Sequence, residues 1–334
     1  MALIKEVMKK KIALVTGGYS GEAEISYKSA ITVGSNIDMD KFTSYKIAIT
    51  PTEWVYLNEQ GGQSPVNKED FSITDTAGNK VTFDAILLCI HGTPGEDGKL
   101  QGYFDMLKLP YTSCDVATSA ITFNKRYTVA IAAFGGIHVA KSMHLFKHTP
   151  VSNGEILSSL NLPLFVKPNN GGSSLGISKV TISEELGVAL EKAFKEDDQV
   201  LVETFIKGRE FTIGVFKSKG TITILPITEI ITKNEFFDYE AKYQGLSEEI
   251  TPALLDEADA QAIKAAALKV YQLLNCRGVV RIDFILNEAD NMPYMLEVNT
   301  VPGQSSASII PQQVKAMGWN LKEFYTAIIE EAIL

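Results

Sequence analysis

Two short segments near the end of the chain carry polar side chains at the spacing of β-strands. They are Arg281-Ile-Asp283 and Glu297-Val-Asn299. Because successive side chains of a strand point to opposite faces, the polar residues are predicted to share one face of a strand pair. Their apolar neighbours are predicted to share the other face: Ile282, Phe284, Leu296 and Val298.

The polar face of these strands could bind a metal ion. Carboxylates that face each other across adjacent strands repel unless water or a hard cation lies between them, and Mg²⁺ and Mn²⁺ bind carboxylate, carbonyl and water oxygens. Asp283, Glu297 and Asn299 therefore indicate a metal site that holds a phosphate, with Arg281 beside it. The alternative is a hairpin whose polar face meets water, which is common in antiparallel sheets.

The loop 169–176 could bind an anion. It has three glycines and two serines in eight residues. Glycines let backbone N–H groups approach an anion closely, and serine hydroxyls add donors. Lys167, on the strand before the loop, could meet a phosphate as a point charge. The loop is not a Walker A sequence, and a plain turn with the same composition is the alternative.

Two glutamates and one histidine are further candidates. Glu203 and Glu210 bracket a turn after a strand, where backbone groups could meet adenine and a carboxylate could accept from ribose hydroxyls. His91 follows a buried strand at its carboxyl end, where open parallel sheets place ligand crevices, so it could face a substrate carboxylate. Solvated charges on a turn and a polar surface loop are the alternatives.

Composition disfavours several classes of function. The 334 residues carry a net charge of -9, and no Lys/Arg run exceeds Lys9-Lys10-Lys11, so no nucleic-acid partner is expected. Three cysteines are too few for a disulfide framework or a thiolate metal site, which favours a reducing compartment. Since no segment reaches about 18 uncharged apolar residues, the sequence predicts a cytoplasmic protein without a membrane partner.

The predicted elements indicate an α/β protein that begins with a doubly wound parallel sheet. Strands are predicted at 11–18, 44–50 and 83–90, with a helix at 22–33 between the first two. The loop after the first strand reads Gly17-Gly-Tyr-Ser-Gly21, and Tyr19 breaks the G-x-G-x-x-G pattern. Dinucleotide-dependent hydride transfer is therefore disfavoured.

Three domains are predicted. Residues 1–112 form the first. Residues 113–203 form the second, with a helix that contains Lys125, the loop 169–176 and strands at 164–168 and 199–203. Residues 204–334 form the third, with an irregular stretch at 233–251, a helix at 256–275 and the acidic strand pair.

Six segments in this order resemble the ATP-grasp superfamily and, within it, the D-alanine:D-alanine ligase family. They are residues 17–26, 91–102, 166–176, 238–243, 281–283 and 297–303. Any one segment is weak evidence, whereas six in order over nearly the whole chain are specific. The resemblance implies that a two-domain ATP-grasp fold of α+β type follows the N-terminal sheet.

The resemblance implies a ligation in two steps. ATP phosphorylates the carboxylate of one D-alanine, and the amine of a second D-alanine then displaces the phosphate, which gives D-alanyl-D-alanine for peptidoglycan precursors. Two Mg²⁺ or Mn²⁺ ions per site would bridge the phosphates. A homodimer is also implied. The alternatives are D-alanine:D-lactate or D-alanine:D-serine ligation, and a non-catalytic nucleotide-binding module on the same fold.

The resemblance also implies a role for each candidate residue. ATP would be held by Lys125, Lys167, Ser173, Ser174, Glu203, Glu210 and Lys242, the metal ions by Asp283, Glu297 and Asn299, and the substrates by Glu22, His91, Arg281, Gly303 and Ser308. The catalytic group would be Glu22, Ser173, Tyr243, Arg281 and Gly303. In it, Arg281 and the Gly303 N–H would donate to the oxygen that becomes negative in the tetrahedral intermediate.

Two hypotheses concern proton transfer and closure. The attacking amine must lose its proton, and Ser173 and Tyr243 are predicted to relay it, with Glu22 in the same hydrogen-bonded group and Lys242 nearby. Residues 233–251 are predicted to form a lid that keeps water from the acyl phosphate. Val301 and Gln304 stand where serine and methionine are frequent in the family, so the second-substrate site is expected to differ in detail.

Overall fold

Three main sheets with helices packed against them make up the fold. A computed structural model describes residues 8–172, 175–232 and 247–334 of the chain. The first part combines parallel strands with helices, and antiparallel strands dominate the rest. The predicted α/β class is therefore confirmed.

The first sheet is built from the N-terminal strands. They are β1 (Lys10–Gly17), β2 (Phe42–Ile49), β3 (Trp54–Leu57), β4 (Gln63–Pro65) and β7 (Ala85–Leu88), while β5 (Ile73–Thr74) and β6 (Lys80–Val81) form a small separate pair. The order across the sheet is β4-β3-β2-β1-β7. As predicted, β1 is parallel to both β2 and β7, but β3 and β4 are antiparallel. The difference arises because strands joined by a tight turn must run antiparallel.

Helices cover both faces of this sheet. They are α1 (Ala23–Gly34) and the C-terminal helix α9 (Leu321–Ile333) on one face and α2 (Lys99–Met106) on the other. Ile12 and Leu14 of β1 belong to the core with α1 and α9, whereas Ala13 and Val15 belong to the core with α2. The alternation along β1 thus builds one core on each side of the sheet.

Two helices lead to the second sheet. They are α3 (Val116–Phe123) and α4 (Lys125–Phe134), and they are followed by β8 (Ser142–Phe146), α5 (Asn153–Ser159), β9 (Leu164–Pro168), β10 (Ser178–Val180), α6 (Leu186–Glu196) and β11 (Gln199–Thr204). The sheet is antiparallel, in the order β10-β9-β11-β8. Leu186, Ala189 and Ala193 recur at helical spacing, so α6 buries one face against the strands.

The third sheet contains the acidic strand pair. Its strands are β12 (Gly208–Ser218), β13 (Thr221–Ile224), β14 (Thr228–Thr232), β15 (Ser247–Ile250), β16 (Val279–Asn287) and β17 (Pro293–Asn299), and the helices of this part are α7 (Glu257–Leu273), α8 (Ile309–Ala316) and α9. The order is β15-β14-β12-β16-β17, with β13 beside β12. Asp256 caps α7, which packs on the sheet through Ile263, Ala267 and Val270. Within the described ranges, α7 and the other helices lack the combined length and apolar character needed to cross a membrane.

The predicted irregular stretch 233–251 contains a regular strand near its end. Residues Ser247–Ile250 form β15 and pair with β14, so the prediction is wrong there. The segment reads Ser-Glu-Glu-Ile, which has low strand propensity, and pairing with a neighbouring strand overrides that preference. Residues 233–246, which include most of the predicted lid, lie outside the described residues.

Candidate active site

A cleft of about 410 Å³ lies where the loops after β1 and β7 face the third sheet. Ten of the predicted residues line it: Glu22, His91, Lys125, Glu210, Arg281, Asp283, Glu297, Asn299, Gly303 and Ser308. These residues are far apart in the sequence. The fold therefore brings most of the candidate residues to one place.

A second cavity, of about 370 Å³, adjoins the cleft. Glu210, Asp283 and Glu297 line both spaces, and Lys167 and Glu203 line the second. Its apolar lining includes Phe165, Ile177, Phe205, Ile206, Ile285 and Leu296. A space with apolar side chains on part of its wall, and with carboxylates, Lys167 and Arg209 on the rest, suits a flat aromatic ligand that carries polar groups.

The acidic segments form neighbouring antiparallel strands, as their spacing predicts. Asp283 lies opposite Glu297, and Arg281 lies opposite Asn299. On β12, which pairs with the other edge of β16, the hydroxyl of Thr212 donates to Asp283 Oδ1. The carboxylate pair is thus placed by regular strand pairing and does not depend on a loop.

A β-bulge in β17 changes which residues face the cleft. The register shifts between Asp283 and Phe284, because Asp283 pairs with Glu297 whereas Phe284 pairs with Met295. Leu296 is the extra residue. Met295 is 2% exposed in the core, while Leu296 lines the second cavity. The prediction that Leu296 shares the apolar face with Val298 is therefore wrong, since strict alternation fails at a bulge.

Arg281 and Asp283 form a two-bond ion pair. Arg281 Nε donates to Oδ1 at 2.9 Å, and Nη2 donates to Oδ2 at 2.8 Å. Burial disfavours the charged guanidinium, but the negative charges of Asp283, Glu297 and Glu96 outweigh it and raise the pKa of Arg281 above its ordinary value. Arg281 is therefore a fixed positive charge at the acidic pair.

The oxygen donors at this pair suit a hard cation. Asn299 Nδ2 donates to Asp283 Oδ2 at 3.3 Å, which orients the amide. In residues 8–172, 175–232 and 247–334, no group of three or more His, Cys, Asp or Glu side chains could hold a metal by itself. Asp283, Glu297 and the Asn299 amide oxygen would need phosphate and water oxygens to complete a coordination shell. Mg²⁺ is usually bound in that way.

Lys125 connects α4 to the loop 169–176. Its Nζ donates to Gly171 O at 2.6 Å, and its backbone N–H donates to Asn169 O at 3.0 Å. The Asn169 side chain accepts from the Arg126 N–H at 2.9 Å. The start of α4 and the start of the loop are thus held together beside the cleft.

Lys167 and Glu203 form an ion pair on neighbouring strands, β9 and β11. Their side chains are 14% and 8% exposed and line the second cavity. An ammonium group has three N–H donors, so Lys167 can keep this contact and still meet a phosphate. The pair places a positive charge at the boundary between the second cavity and the loop 169–176.

The Glu22 carboxylate lies between two glycines. A Cβ atom at Gly92 would lie 2.7 Å from Glu22 Oε2, and one at Gly172 would lie 2.8 Å from Oε1. A side chain at either position would collide with the carboxylate. The loops after β1, β7 and β9 therefore meet around Glu22.

His91 is 6% exposed, and both of its ring nitrogens have protein partners. Nδ1 lies 2.7 Å from Val301 O, and Nε2 lies 2.9 Å from Ser29 Oγ. Since a carbonyl oxygen can only accept, Nδ1 carries the proton and Nε2 accepts from Ser29. Burial lowers the pKa of His91 to about 4. The hydrogen bond to Val301 acts to raise this pKa, and the positive charge of Arg281 acts to lower it. The imidazole is therefore neutral near pH 7, as a single tautomer.

Glu96 lines the cleft but is not among the predicted residues. Its carboxylate accepts from Gly92 N at 2.6 Å and from Val301 N at 3.2 Å. Removal from solvent and the nearby Glu22 raise the pKa of Glu96 to about 8. Glu96 lies inside the resembling segment 91–102, which was the available signal. In sequence it is one of two adjacent acidic residues in a Gly/Pro-rich loop, a pattern that usually means solvated charges.

Gly303 and Ser308 lie together before α8. A Cβ atom at Gly303 would lie 2.8 Å from Ser308 Oγ. The same oxygen accepts from Ser305 N at 3.0 Å and lies 2.7 Å from Ser305 Oγ. Ser308 is the residue before the first turn of α8, and helix N-termini attract anions. This corner of the cleft suits a carboxylate.

Four predicted site residues lie outside the described residues: Ser173, Ser174, Lys242 and Tyr243. The other predicted residues lie around the two adjoining cavities.

Comparisons with known proteins match both parts of the chain. Residues 11–114 match the family model described as D-ala D-ala ligase N-terminus, and residues 130–330 match the one described as D-ala D-ala ligase C-terminus. A curated D-alanine–D-alanine ligase of Flavobacterium johnsoniae is 46% identical over 321 residues, which are 96% of this chain and 98% of that protein.

Solved structures with the same fold include two ligases. The VanG D-Ala:D-Ser ligase of Enterococcus faecalis has a TM-score of 0.85 at 32% identity, over 97% of this chain and 100% of that one. The D-alanine–D-alanine ligase of Bacillus anthracis complexed with ATP has a TM-score of 0.77 at 30% identity, over 97% of both chains. The likeness thus extends over nearly the whole molecule.

Proposed function

Since the chain belongs to the D-alanine–D-alanine ligase family, we propose that the cleft is the site where ATP drives the joining of two D-alanines. The reaction gives D-alanyl-D-alanine, ADP and phosphate, and it serves the synthesis of peptidoglycan precursors. Enzymes of this family use ATP and a divalent metal. The observation that carries the proposal is the strand register that places Arg281 beside Asp283 and Glu297 in the cleft that Glu22 also lines.

The first D-alanine is proposed to bind by both of its charged ends. Glu22 accepts from its ammonium group, and Arg281 and the Gly303 N–H donate to its carboxylate. All three residues line the same cleft. His91 also lines this cleft and is proposed to contact the first substrate. As a neutral group it adds no charge that would compete with Arg281 for the carboxylate.

ATP is proposed to occupy the second cavity and the boundary with the cleft. Its adenine lies in the apolar part near Glu203, and its ribose lies near Glu210, which lines both spaces. Lys125 and Lys167 neutralise the phosphates, since one is bonded to the loop 169–176 and the other lies on the strand before it. Ser173, Ser174 and Lys242 complete this set in the proposal.

The metal ions are proposed to be two Mg²⁺ or Mn²⁺ ions at Asp283, Glu297 and Asn299. The donor set is all oxygen and is too small to saturate a cation, which leaves positions for phosphate oxygens. When bound, such ions spread the phosphate charge that otherwise repels an attacking carboxylate.

In the first step the carboxylate of the first D-alanine takes the terminal phosphoryl group of ATP, and ADP leaves. In the second step the amine of the second D-alanine attacks the carbonyl carbon of this acyl phosphate, and phosphate leaves. Arg281 and the Gly303 N–H stabilise the negative oxygen of the tetrahedral intermediate, and a guanidinium does so without losing its proton. Ser308 holds the carboxylate of the second substrate. Ser173 and Tyr243, with Glu22, relay the proton of the amine, and residues 233–251 close over the site to exclude water.

The whole chain is proposed to have three domains and to form a dimer. Residues 1–112, 113–203 and 204–334 act as three domains around the site. The protein is proposed to be a cytoplasmic homodimer whose partners are small substrates, with neither nucleic acid nor membrane involved.

The proposal is tested by phosphate release and product mass. Wild-type protein is incubated with ATP and Mg²⁺ together with D-alanine, L-alanine, or D-alanine plus D-lactate. Dipeptide that forms only from the D-isomer is the expected result. ATP binding without dipeptide would contradict the proposed activity, and a mass for D-alanyl-D-lactate would correct the acceptor. Replacing Mg²⁺ by a chelator gives the matched control for metal dependence.

A further inference from the structure

The segment 301–304, which contains Gly303, is held by residues from the N-terminal part of the chain. Three hydrogen bonds do this: Val301 N to Glu96 Oε1 at 3.2 Å, His91 Nδ1 to Val301 O at 2.7 Å, and Gln304 N to Ser29 Oγ at 3.1 Å. The partners lie on α1 and on the loop after β7. The position of Gly303 is therefore set by the first sheet and its helices as well as by β17.

Ser29 connects two of these contacts. It is fully buried on α1, accepts from Gln304 N, and lies 2.9 Å from His91 Nε2. Because Val301 O fixes the His91 proton on Nδ1, the Ser29 hydroxyl must donate to Nε2. One hydroxyl thus ties the backbone on both sides of Gly303 to α1, directly at Gln304 and through His91 at Val301.

The Gln304 side chain adds a second support. Tyr325 OH, on α9, donates to Gln304 Oε1 at 3.2 Å. Gln304 is 6% exposed and Tyr325 is 1% exposed. A cavity lined by Val301, Pro302, Gln304 and Tyr325 measures only about 20 Å³, which is about the space of one water molecule. The segment therefore has little room to move toward α9.

The helix that holds this segment also begins beside Glu22. Glu22 is the residue before α1, and Ser29 lies two turns further along the same 12-residue helix. A helix is a stiff element, so the distance between the two residues is fixed. The proposed ammonium anchor and the support for the Gly303 N–H are thus parts of one rigid body.

We propose that Ser29, Gln304 and Tyr325 are positioning residues that hold the Gly303 N–H at a fixed distance from Glu22. The inference rests on the proposed function, in which the first D-alanine spans these two groups. A substrate held at both ends is kept in the orientation in which its carboxylate reacts. Since misplacement by about 1 Å can cost about a hundredfold in rate, loss of one support lowers turnover while the ATP-binding residues are untouched.

The test compares three variants with two matched controls. Ser29→Ala, Gln304→Met and Tyr325→Phe each remove one support. Ser119→Ala removes another buried hydroxyl, which donates to Cys114 O, and Tyr271→Phe removes another buried phenol hydroxyl, which donates to Gly278 O. We expect kcat for dipeptide to fall about tenfold or more in the three variants, with an unchanged KM for ATP, and to stay near the wild-type value in both controls. Equal kcat in Ser29→Ala and Ser119→Ala would overturn the proposal.

A double variant separates positioning from stability. Gln304→Met combined with Tyr325→Phe removes both donor and acceptor, so no polar group is left unpaired and the melting temperature should return toward the wild-type value. The proposal requires kcat to remain low in this variant. Recovery of kcat together with stability would show that the single variants acted through folding alone.

Hydrogen exchange gives a result that does not depend on activity. The peptide containing residues 301–305 should exchange faster in Ser29→Ala than in Ser119→Ala, because the Gln304 N–H loses its acceptor. If the wild-type protein makes no dipeptide, the proposed function fails, but this measurement still tests the support. Equal exchange in the two variants would refute it.

Discussion

Arg281 combines two contacts that a lysine could not make together. Its planar guanidinium gives two parallel bonds to Asp283 and keeps its charge in a largely buried place. Lysine is a point charge that cannot form the same fork. The residue type, and not only the charge, is therefore part of the proposed site.

Replacement of Arg281 by lysine tests this point. We expect Arg281→Lys to lower kcat by about a hundredfold or more, since removal of one donor to a developing oxyanion has effects of that size. ATP binding should change much less, because the nucleotide contacts proposed here lie at other residues. Steady-state kinetics and nucleotide titration measure the two effects. A variant with normal kcat would remove Arg281 from the chemical step.

His91 makes the stability of the protein depend on pH. The unfolded chain protonates this residue below its ordinary pKa of 6.5, whereas burial keeps the folded protein unprotonated down to about pH 4. The unfolded state therefore binds more protons between these values. The contribution is fully present above pH 6.5 and is lost as the pH falls toward 4. A shift of this size corresponds to about 3 kcal/mol.

The pH effect is measured by urea unfolding of wild type and His91→Gln at pH 7.5 and pH 4.5. The variant has lower stability at pH 7.5, because Ser29 and Val301 lose a partner, but it should lose less stability than wild type on acidification. His148→Gln, at an exposed histidine, is the control and should follow wild type. Parallel curves for all three proteins would contradict the assignment of a neutral buried His91.

At the scale of elements, three loops from two sheets meet at the Glu22 carboxylate. The contact depends on residues without side chains, because a Cβ atom at Gly172 would lie 2.8 Å from Oε1. Substitution there should displace the carboxylate without disturbing a core. The close contact between the loop and Glu22 can therefore be tested by adding one methyl group at Gly172.

We expect Gly172→Ala to raise the KM for D-alanine by about tenfold, because the added methyl group displaces the Glu22 carboxylate and weakens its bond to the substrate ammonium. Hydrogen bonds to charged groups contribute about 1.5–3 kcal/mol. The fold should persist. Gly187→Ala is the matched control, since the nearest atom to its added Cβ is 3.6 Å away, in ordinary contact. Initial rates over a range of D-alanine concentrations give both constants. Equal KM values for the two variants would mean that the loop yields without moving Glu22.

The elements differ in how well their sequence predicts them. The strand 164–168 and the pairing of Asp283 with Glu297 follow from alternation alone, and the structure has both. The bulge at Leu296 could not be predicted, because an extra residue leaves the local composition unchanged. The strand Ser247–Ile250 could not be predicted either, since its glutamates disfavour a strand and pairing with the neighbouring β14 overrides that preference.

The site was predictable where spacing or resemblance carried information. Arg281, Asp283, Glu297 and Asn299 share a strand period, so their common face is visible in the sequence. Glu96 does not belong to such a strand pattern, and its hydrogen-bond partners are the backbone N–H groups of Gly92 and Val301. Contacts of side chains with distant backbone leave no signature in residue types, which is why Ser29 and Glu96 were found only in the structure.

For the molecule as a whole, the C-terminal helix α9 completes the hydrophobic core that α1 forms on one face of the first sheet. We call this the first core. Phe324, Tyr325 and Ile328 of α9 are at most 3% exposed and pack in one cluster with Ile12 and Leu14 of β1. Two ion pairs at the edge join the same parts: Lys41 Nζ to Glu330 Oε1 at 2.6 Å and Lys322 Nζ to Asp38 Oδ1 at 2.9 Å. Exposed pairs of this kind add little, so apolar packing supplies most of the attachment.

Truncation of one side chain tests that attachment. We expect Phe324→Ala to lower the free energy of unfolding by about 3–5 kcal/mol, as is usual for a fully buried phenylalanine. Phe134→Ala, at a side chain that is 92% exposed, should change it by less than about 0.5 kcal/mol. Urea titration of both variants is the measurement. Similar midpoints for the two would mean that α9 contributes little to the first core.

The packing of α9 also has a consequence for how the protein is made. The strands of the first sheet are synthesised by residue 88, whereas α9 ends at residue 333. At about 5–20 residues per second, translation of the intervening chain takes on the order of ten to fifty seconds. For that time α1 covers only part of one face of the nascent sheet, and the rest of that face is open to chaperones and proteases. The core that begins first is therefore completed late, and a ribosome that stalls before α9 should release a chain whose first sheet is exposed to proteolysis.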